Sequence, residues 1–182
     1  MRVAFYGDSY TLGVGASAPA NRWSSIICAE RGWSEFNPSV NGLGFTRNRG
    51  DLDLPAQVIA DRPDIVFITM GLNDNFSYDV AAPHIHRQLG LDFARLRAGL
   101  PAARFIVAEP FWYTDVRPES LAVISGWVQQ AAADIQADYI PGASHWIEHH
   151  PEWMAPDDLH PNDAGYTQLA VEMDAALSRL GL

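Results

Sequence analysis

Residues 2–10 read RVAFYGDSY, and this stretch decides the fold. Val3, Ala4, Phe5 and Tyr6 form a continuous apolar run, not an alternating one. Such a run suits a strand buried on both faces, as in a parallel sheet. It ends at Gly7, and the polar pair Asp8-Ser9 follows at once. Runs of the same kind recur as IVFITM at 65–70 and RFIVA at 104–108, ending at Gly71 and at Glu109-Pro110. SEFNPSV at 34–40, ahead of Gly42, and DYI at 138–140, ahead of Pro141, are weaker strand candidates.

The segments between these runs have helical spacing. Ile85, Leu89, Phe93, Leu96 and Leu100 fall at three- and four-residue steps, and Pro101 closes the segment. Leu121, Ile124, Val128, Ala131 and Ile135 repeat the pattern, as do Tyr166, Leu169, Ala170, Met173, Leu177 and Leu180. Strands alternating with helices predict βαβ units, right-handed crossovers and a three-layer α/β/α sandwich. The length, 182 residues, and the absence of a linker or repeat predict one domain over 1–182.

Composition narrows the function classes. Apolar residues make up 48% and charged ones 19%, as in a soluble globular chain. With 12 Lys+Arg against 22 Asp+Glu, the formal charge is −10. That argues against nucleic acid or an anionic membrane as partner, because both require a basic face. No stretch approaches the about 18 consecutive apolar residues of a membrane span. No leader pattern precedes the first strand, so a cytoplasmic location is expected. Cys28 is the single cysteine, which leaves no intrachain disulfide framework, and its apolar surroundings suggest packing. The sequence carries no signal for oligomeric state.

In open α/β sheets, sites form beyond the carboxyl ends of the strands. The residues that follow the runs are Gly7-Asp8-Ser9, Asn41-Gly42-Leu43-Gly44, Gly71-Leu72-Asn73-Asp74 and Glu109-Pro110-Phe111; Asp157-Asp158-Leu159-His160-Pro161 lies beyond the last. A serine hydroxyl is a weak nucleophile and needs a base that is itself oriented. His160 suits the base, since imidazole titrates near about 6.5. Asp157, three residues earlier, suits the orienter, and one loop can carry both. A developing oxyanion needs donors. The N–H of Ser9, the N–H of Gly42 and the side-chain amide of Asn73 are candidates.

With these blocks in view, the chain resembles the SGNH hydrolases, the GDSL-like esterases and lipases. GDSY matches the serine block at Ser9. NPSVNG matches the block with a glycine five residues after an asparagine, pointing to Gly42. GLND matches the asparagine block at Asn73, and DDLHPN matches D-x-x-H-P at Asp157 and His160. Each block alone is weak; their order across residues 6–162 is the signal. The G-x-S-x-G elbow of α/β-hydrolases is absent, because Thr11 stands at its second glycine position. Gly44 is an alternative to Gly42 as donor, and Asp158 an alternative to Asp157.

The resemblance implies a flavodoxin-like sandwich with a central five-stranded parallel sheet in the order 2-1-3-4-5. It implies a serine esterase with a Ser9-His160-Asp157 triad, an acyl-enzyme and an oxyanion hole of Ser9, Gly42 and Asn73. No metal or cofactor is required, and the partner is a small-molecule ester, with short acyl or acetyl groups favoured because the chain leaves little room for a lid. Family members act on lipids, acetylated sugars, thioesters and peptidoglycan, so the shared blocks do not select a substrate. The same acyl-enzyme would also serve an acyltransferase, and a catalytically silent ligand-binding module is the reading from another class.

Other residues have plainer readings. Asp8 suits a local backbone hydrogen bond. His84 and His86 fall on different helix faces, and His149 and His150 lack a third ligand at metal spacing. Phe111, Trp112, Tyr113, Trp146 and Trp153 either line a pocket or pack beneath loops. Arg47 and Arg49 either meet an acidic substrate group or belong to a solvated loop that includes the RGD at 49–51.

Overall fold

Alternation within each apolar run determines which side chain faces which layer. In the computed structural model, which describes residues 1–182, β1 (Arg2–Gly7) turns Val3 and Phe5 to one side of the sheet and Ala4 and Tyr6 to the other. β2 (Ser34–Phe36) is short. β3 (Ile65–Thr69) and β4 (Arg104–Ala108) divide as β1 does: Ile65, Phe67, Ile106 and Ala108 on the first side, Val66, Ile68, Phe105 and Val107 on the second. With β5 (Asp138–Ile140) they form a five-stranded sheet in the order β2-β1-β3-β4-β5, every pair parallel. Three central strands buried on both faces explain the continuous apolar runs.

Helices cover both sides. α1 (Ser9–Leu12), α2 (Trp23–Glu30) and α6 (Asp163–Arg179) pack on the first face, with Trp23, Ile27, Tyr166, Leu169 and Met173 in its core. α3 (Leu54–Asp61), α4 (Tyr78–Gly99) and α5 (Glu119–Asp134) pack on the second, with Val58, Leu89, Phe93, Ile124 and Val128 in its core. The three helices expected from periodicity are α4, α5 and α6. SEFNPSV is a strand only over Ser34–Phe36, because Asn37 leaves the ladder. Its side-chain amide donates instead to Thr11 O at 2.8 Å and Ser24 Oγ at 3.0 Å. No helix is long and apolar enough to cross a membrane.

One ion pair fixes the long loop after β2 to α4. Arg49 donates to both carboxylate oxygens of Asp92, at 2.5 and 2.9 Å, and to Phe45 O at 3.1 Å. Asp92, 2% exposed, also accepts from Tyr6 Oη at 2.6 Å and Gln88 Nε2 at 2.9 Å. Arg49 therefore holds structure rather than meeting a substrate or lying free in solvent. Arg47 instead lies over the Phe76 ring, 5.7 Å from its centroid. Removing one member of a buried pair leaves the other charge uncompensated. Asp92→Ala is expected to cost about 3–5 kcal/mol of stability, read by urea unfolding; a loss below about 1 kcal/mol would contradict this account.

Candidate active site

The strand-to-helix turn after β1 sets Ser9. Asp8 caps α1, its Oδ1 accepting the Tyr10 N–H at 3.0 Å, while its carbonyl accepts from Leu12 at 2.9 Å. Ser9 is the first residue of this helix, so its N–H has no intrahelical acceptor. Gly7 is required for space. A Cβ there would lie 2.5 Å from Thr11 Cβ and 2.7 Å from Thr69 Oγ1. Those two threonines share a 2.5 Å hydrogen bond. The residue at the missing elbow glycine is thus the one that packs against Gly7.

His160 and Asp157 meet as the spacing suggests. His160 Nδ1 lies 2.7 Å from Asp157 Oδ2, and Asp157 Oδ1 accepts the N–H groups of His160 at 3.0 Å and Leu159 at 3.1 Å. Partial burial pushes this carboxylate up. The hydrogen bonds from the His160 ring and the two N–H groups outweigh it, holding the group at about 2. Asp158 has a left-handed backbone, φ 54, and it is Asp157 that bonds the imidazole.

Contacts far apart in sequence bring this loop to the serine turn. The Tyr10 ring lies 6.1 Å from His160, and its hydroxyl donates to Leu159 O at 2.8 Å. Tyr166 Oη donates to Val14 O at 2.7 Å. Gly15 has φ 94, and a Cβ there would fall 2.4 Å from Pro161 O and 3.2 Å from His160 Cβ. Nothing in the local sequence marks this close approach, because the partner of Gly15 comes from the far end of the chain. Ser9 and His160 are 3% and 6% exposed, so both lie at the floor of the site.

The candidate oxyanion donors lie at the same sheet edge. Gly42 has φ 73 and its N–H meets no acceptor in the chain, whereas the Gly44 N–H donates to Arg47 O at 2.9 Å. Gly44 is needed because a Cβ would lie 2.7 Å from the Asp74 carboxylate. Asn73 Nδ2 donates to Leu43 O at 3.0 Å and to Asp8 Oδ2 at 3.2 Å. Asp74 accepts the N–H groups of Phe45 at 2.8 Å and Thr46 at 3.2 Å. It holds the glycine loop, and sequence reasoning passed over it. The available signal was a carboxylate at a strand end with no cation nearby.

Asp8 and Asp74 are nearly inaccessible, at 2% and 0% exposure. Burial pushes Asp8 up to about 7, tempered by the Tyr10 N–H and reinforced by the neighbouring Asp74 charge. Burial likewise pushes Asp74 up to about 6, tempered by the N–H groups of Phe45 and Thr46.

The aromatic residues divide. Phe111 and Trp112 belong to the core, with Phe111 stacked on Tyr10 at 5.6 Å. Trp146 packs on Phe111 at 5.9 Å, and Trp153 stacks with His150 at 3.6 Å. Tyr113 borders two clefts, of about 330 and 410 Å³; Phe76 and Trp112 line the second. Cys28 is buried, which pushes its thiol up to about 12. His86 stacks on Trp127 at 4.7 Å.

Comparison with known proteins adds to this geometry. Residues 5–168 match the model of the GDSL-like lipase/acylhydrolase family. A GDSL lipase of Mycobacterium tuberculosis is 30% identical over 192 residues, spanning 97% of this chain and 81% of its own length. A psychrotrophic esterase from a Pseudoalteromonas species superposes with a TM-score of 0.80 at 18% identity, over 98% of this chain and 97% of its own. A family two carbohydrate esterase from Clostridium thermocellum gives a TM-score of 0.76 at 15% identity, over 99% of this chain and 64% of its own. At such identities the two structures speak to the fold.

The buried carboxylates have a consequence for stability. An acid raised from its ordinary 3.8 to about 7 keeps a proton that the unfolded chain releases. The folded state then binds more protons between about pH 4 and 7, and stability falls as pH rises through that window. Asp157, depressed to about 2, acts oppositely: its contribution is present above 3.8 and lost as pH falls toward 2. Asp8→Asn is expected to flatten the decline between pH 4 and 7 in urea unfolding at a pH series; an unchanged slope would refute the assignment.

Proposed function

The chain belongs to the GDSL-like lipase/acylhydrolase family, and from that premise we propose that it hydrolyses carboxylic esters with Ser9 as nucleophile, His160 as base and Asp157 as orienter. One observation carries this reading. The 2.7 Å contact between His160 Nδ1 and Asp157 commits that nitrogen, leaving Nε2 for proton transfer, and the histidine packs against Tyr10, the neighbour of Ser9.

Ser9 Oγ attacks the ester carbonyl carbon as His160 Nε2 takes its proton. The tetrahedral oxyanion accepts from the N–H groups of Ser9 and Gly42, the two that have no partner in the chain. Asn73 supplies a third donor by sharing the hydrogen of its longer bond, the one to Asp8. As the intermediate collapses, the C–O bond to the alcohol breaks and His160 returns the proton to that oxygen. Water, deprotonated by His160, then cleaves the acyl-enzyme and restores Ser9. Asp157, ionised above about 2, stabilises the imidazolium throughout.

The substrate is an ester with a short acyl group, such as acetyl. Two clefts, of about 330 and 410 Å³, are lined by close chain neighbours of this machinery: Asp158, two residues from His160, in the first, and Asn75, two residues from Asn73, in the second. In a 4-nitrophenyl ester series, kcat/KM is expected to fall beyond short chains; a steady rise toward long chains would overturn the acyl preference. Ser9→Ala is expected to abolish both turnover and labelling by a fluorophosphonate probe. Hydrolysis surviving in that variant would reject Ser9 as nucleophile. Asn73→Ala is expected to lower kcat about 100-fold; a change under twofold would remove Asn73 from the oxyanion hole.

A further inference from the structure

The cleft of about 330 Å³ beside the His160 loop has chemistry that the hydrolytic steps above leave unused. Tyr113, Thr114 and Asp115 form one wall; His150, Met154 and Asp158 form the other. The second wall continues into the catalytic loop. Met154 pairs with Pro161 in an antiparallel bridge, and the Ala155 N–H donates to His160 O at 2.8 Å. In triad chemistry the histidine protonates the departing alcohol, so the alcohol half of an ester lies on the histidine's side. A cleft built partly from the histidine loop is therefore placed for the alcohol.

Its lining selects the kind of alcohol. Asp115 and Asp158 are both exposed, and an ionised carboxylate only accepts hydrogen bonds. No arginine or lysine lines the cleft. A phosphate or other anionic group would meet two carboxylates in the lining and no guanidinium there, since Arg117 behind Asp115 is held by Glu148. Asp115 already engages the His149 N–H at 2.7 Å and ring Nδ1 at 2.8 Å, so it offers spare lone pairs more than free charge. Tyr113 and His150, the latter backed by Trp153, supply flat apolar faces. These are the only aromatic rings in the lining, too few to cage a quaternary ammonium.

We propose that this cleft binds the alcohol half of the substrate as a neutral, polyhydroxylated ring, a pyranoside, whose hydroxyls donate to Asp158 and Asp115. Its C–H face lies against Tyr113 and His150. This rests on the esterase reading of the same site, and it assigns Asp158, passed over by His160, a role in specificity.

The test compares three acetate esters of alkyl alcohols: an acetylated methyl pyranoside, 1-acetylglycerol 3-phosphate and acetylcholine. The wild-type kcat/KM is expected to favour the pyranoside over each of the others by about tenfold or more. Asp158→Asn, which tolerates the left-handed backbone at this position, is expected to lower the preference over the phosphate ester about tenfold. Ser9-dependent hydrolysis of 4-nitrophenyl acetate without a pyranoside preference, or with acetylcholine or the phosphate ester preferred, would overturn the cleft assignment and leave the esterase reading standing. If no ester is hydrolysed in a Ser9-dependent way, the esterase reading fails and binding decides the cleft. Methyl glucopyranoside is then titrated into Ser9→Ala and followed by tryptophan fluorescence. Saturable binding weakened by Asp158→Asn supports the pyranoside site; no binding ends it.

Discussion

Two carboxylates without cations, Asp8 and Asp74, are sealed at the carboxyl edge of the sheet, and the site is organised around satisfying them. A buried carboxylate must be met by donors or give up its charge. Asp8 collects the Tyr10 N–H and the Asn73 amide; Asp74 collects the N–H groups of Phe45 and Thr46. Those donors come from three loops, one after each of β1, β2 and β3. The loops that carry Ser9, Gly42 and Asn73 are therefore tied together by the demand of two acids, neither assigned a chemical step. Burial raises both, Asp8 to about 7 and Asp74 to about 6.

The remaining partner, the His160 loop, arrives from the opposite end of the chain and is held by shape more than by charge. Tyr10 and Tyr166 each reach across with a hydroxyl to a backbone carbonyl. Gly15 removes the Cβ that would keep the loops apart. On the far side, the Arg49–Asp92 pair ties the loop after β2 to α4. The site is thus clamped from both helical layers, which suits a reaction in which donors must already be aimed when charge develops.

Polarity around the site is uneven in a way that bears on what it can accept. The chain carries a formal −10; Arg117 is paired with Glu148, and Arg47 lies over Phe76. One cleft is bordered by Phe76, Trp112 and Tyr113, the other by carboxylates and a histidine. The loop Tyr113–Val116 lines both. An ester lying across it would have its two halves in different surroundings.

Much of this was legible in the residues themselves. Continuous runs such as RVAFY and IVFIT marked the doubly buried strands, because a central parallel strand has no polar face to offer. The order of the four blocks marked the family, and the three-residue step from Asp157 to His160 suffices for a local contact. The block spacing pointed to Gly42 and left Gly44 open; which of the two keeps a free N–H was not legible. That turns on Arg47 O, which takes the Gly44 N–H. Asp74, Gly15 and Arg49 were equally silent, since each acts on a partner from a different element. Local spacing encodes contacts within a turn or a strand; which donor stays free, and which acid is buried, is decided only when distant segments pack and water is excluded from between them.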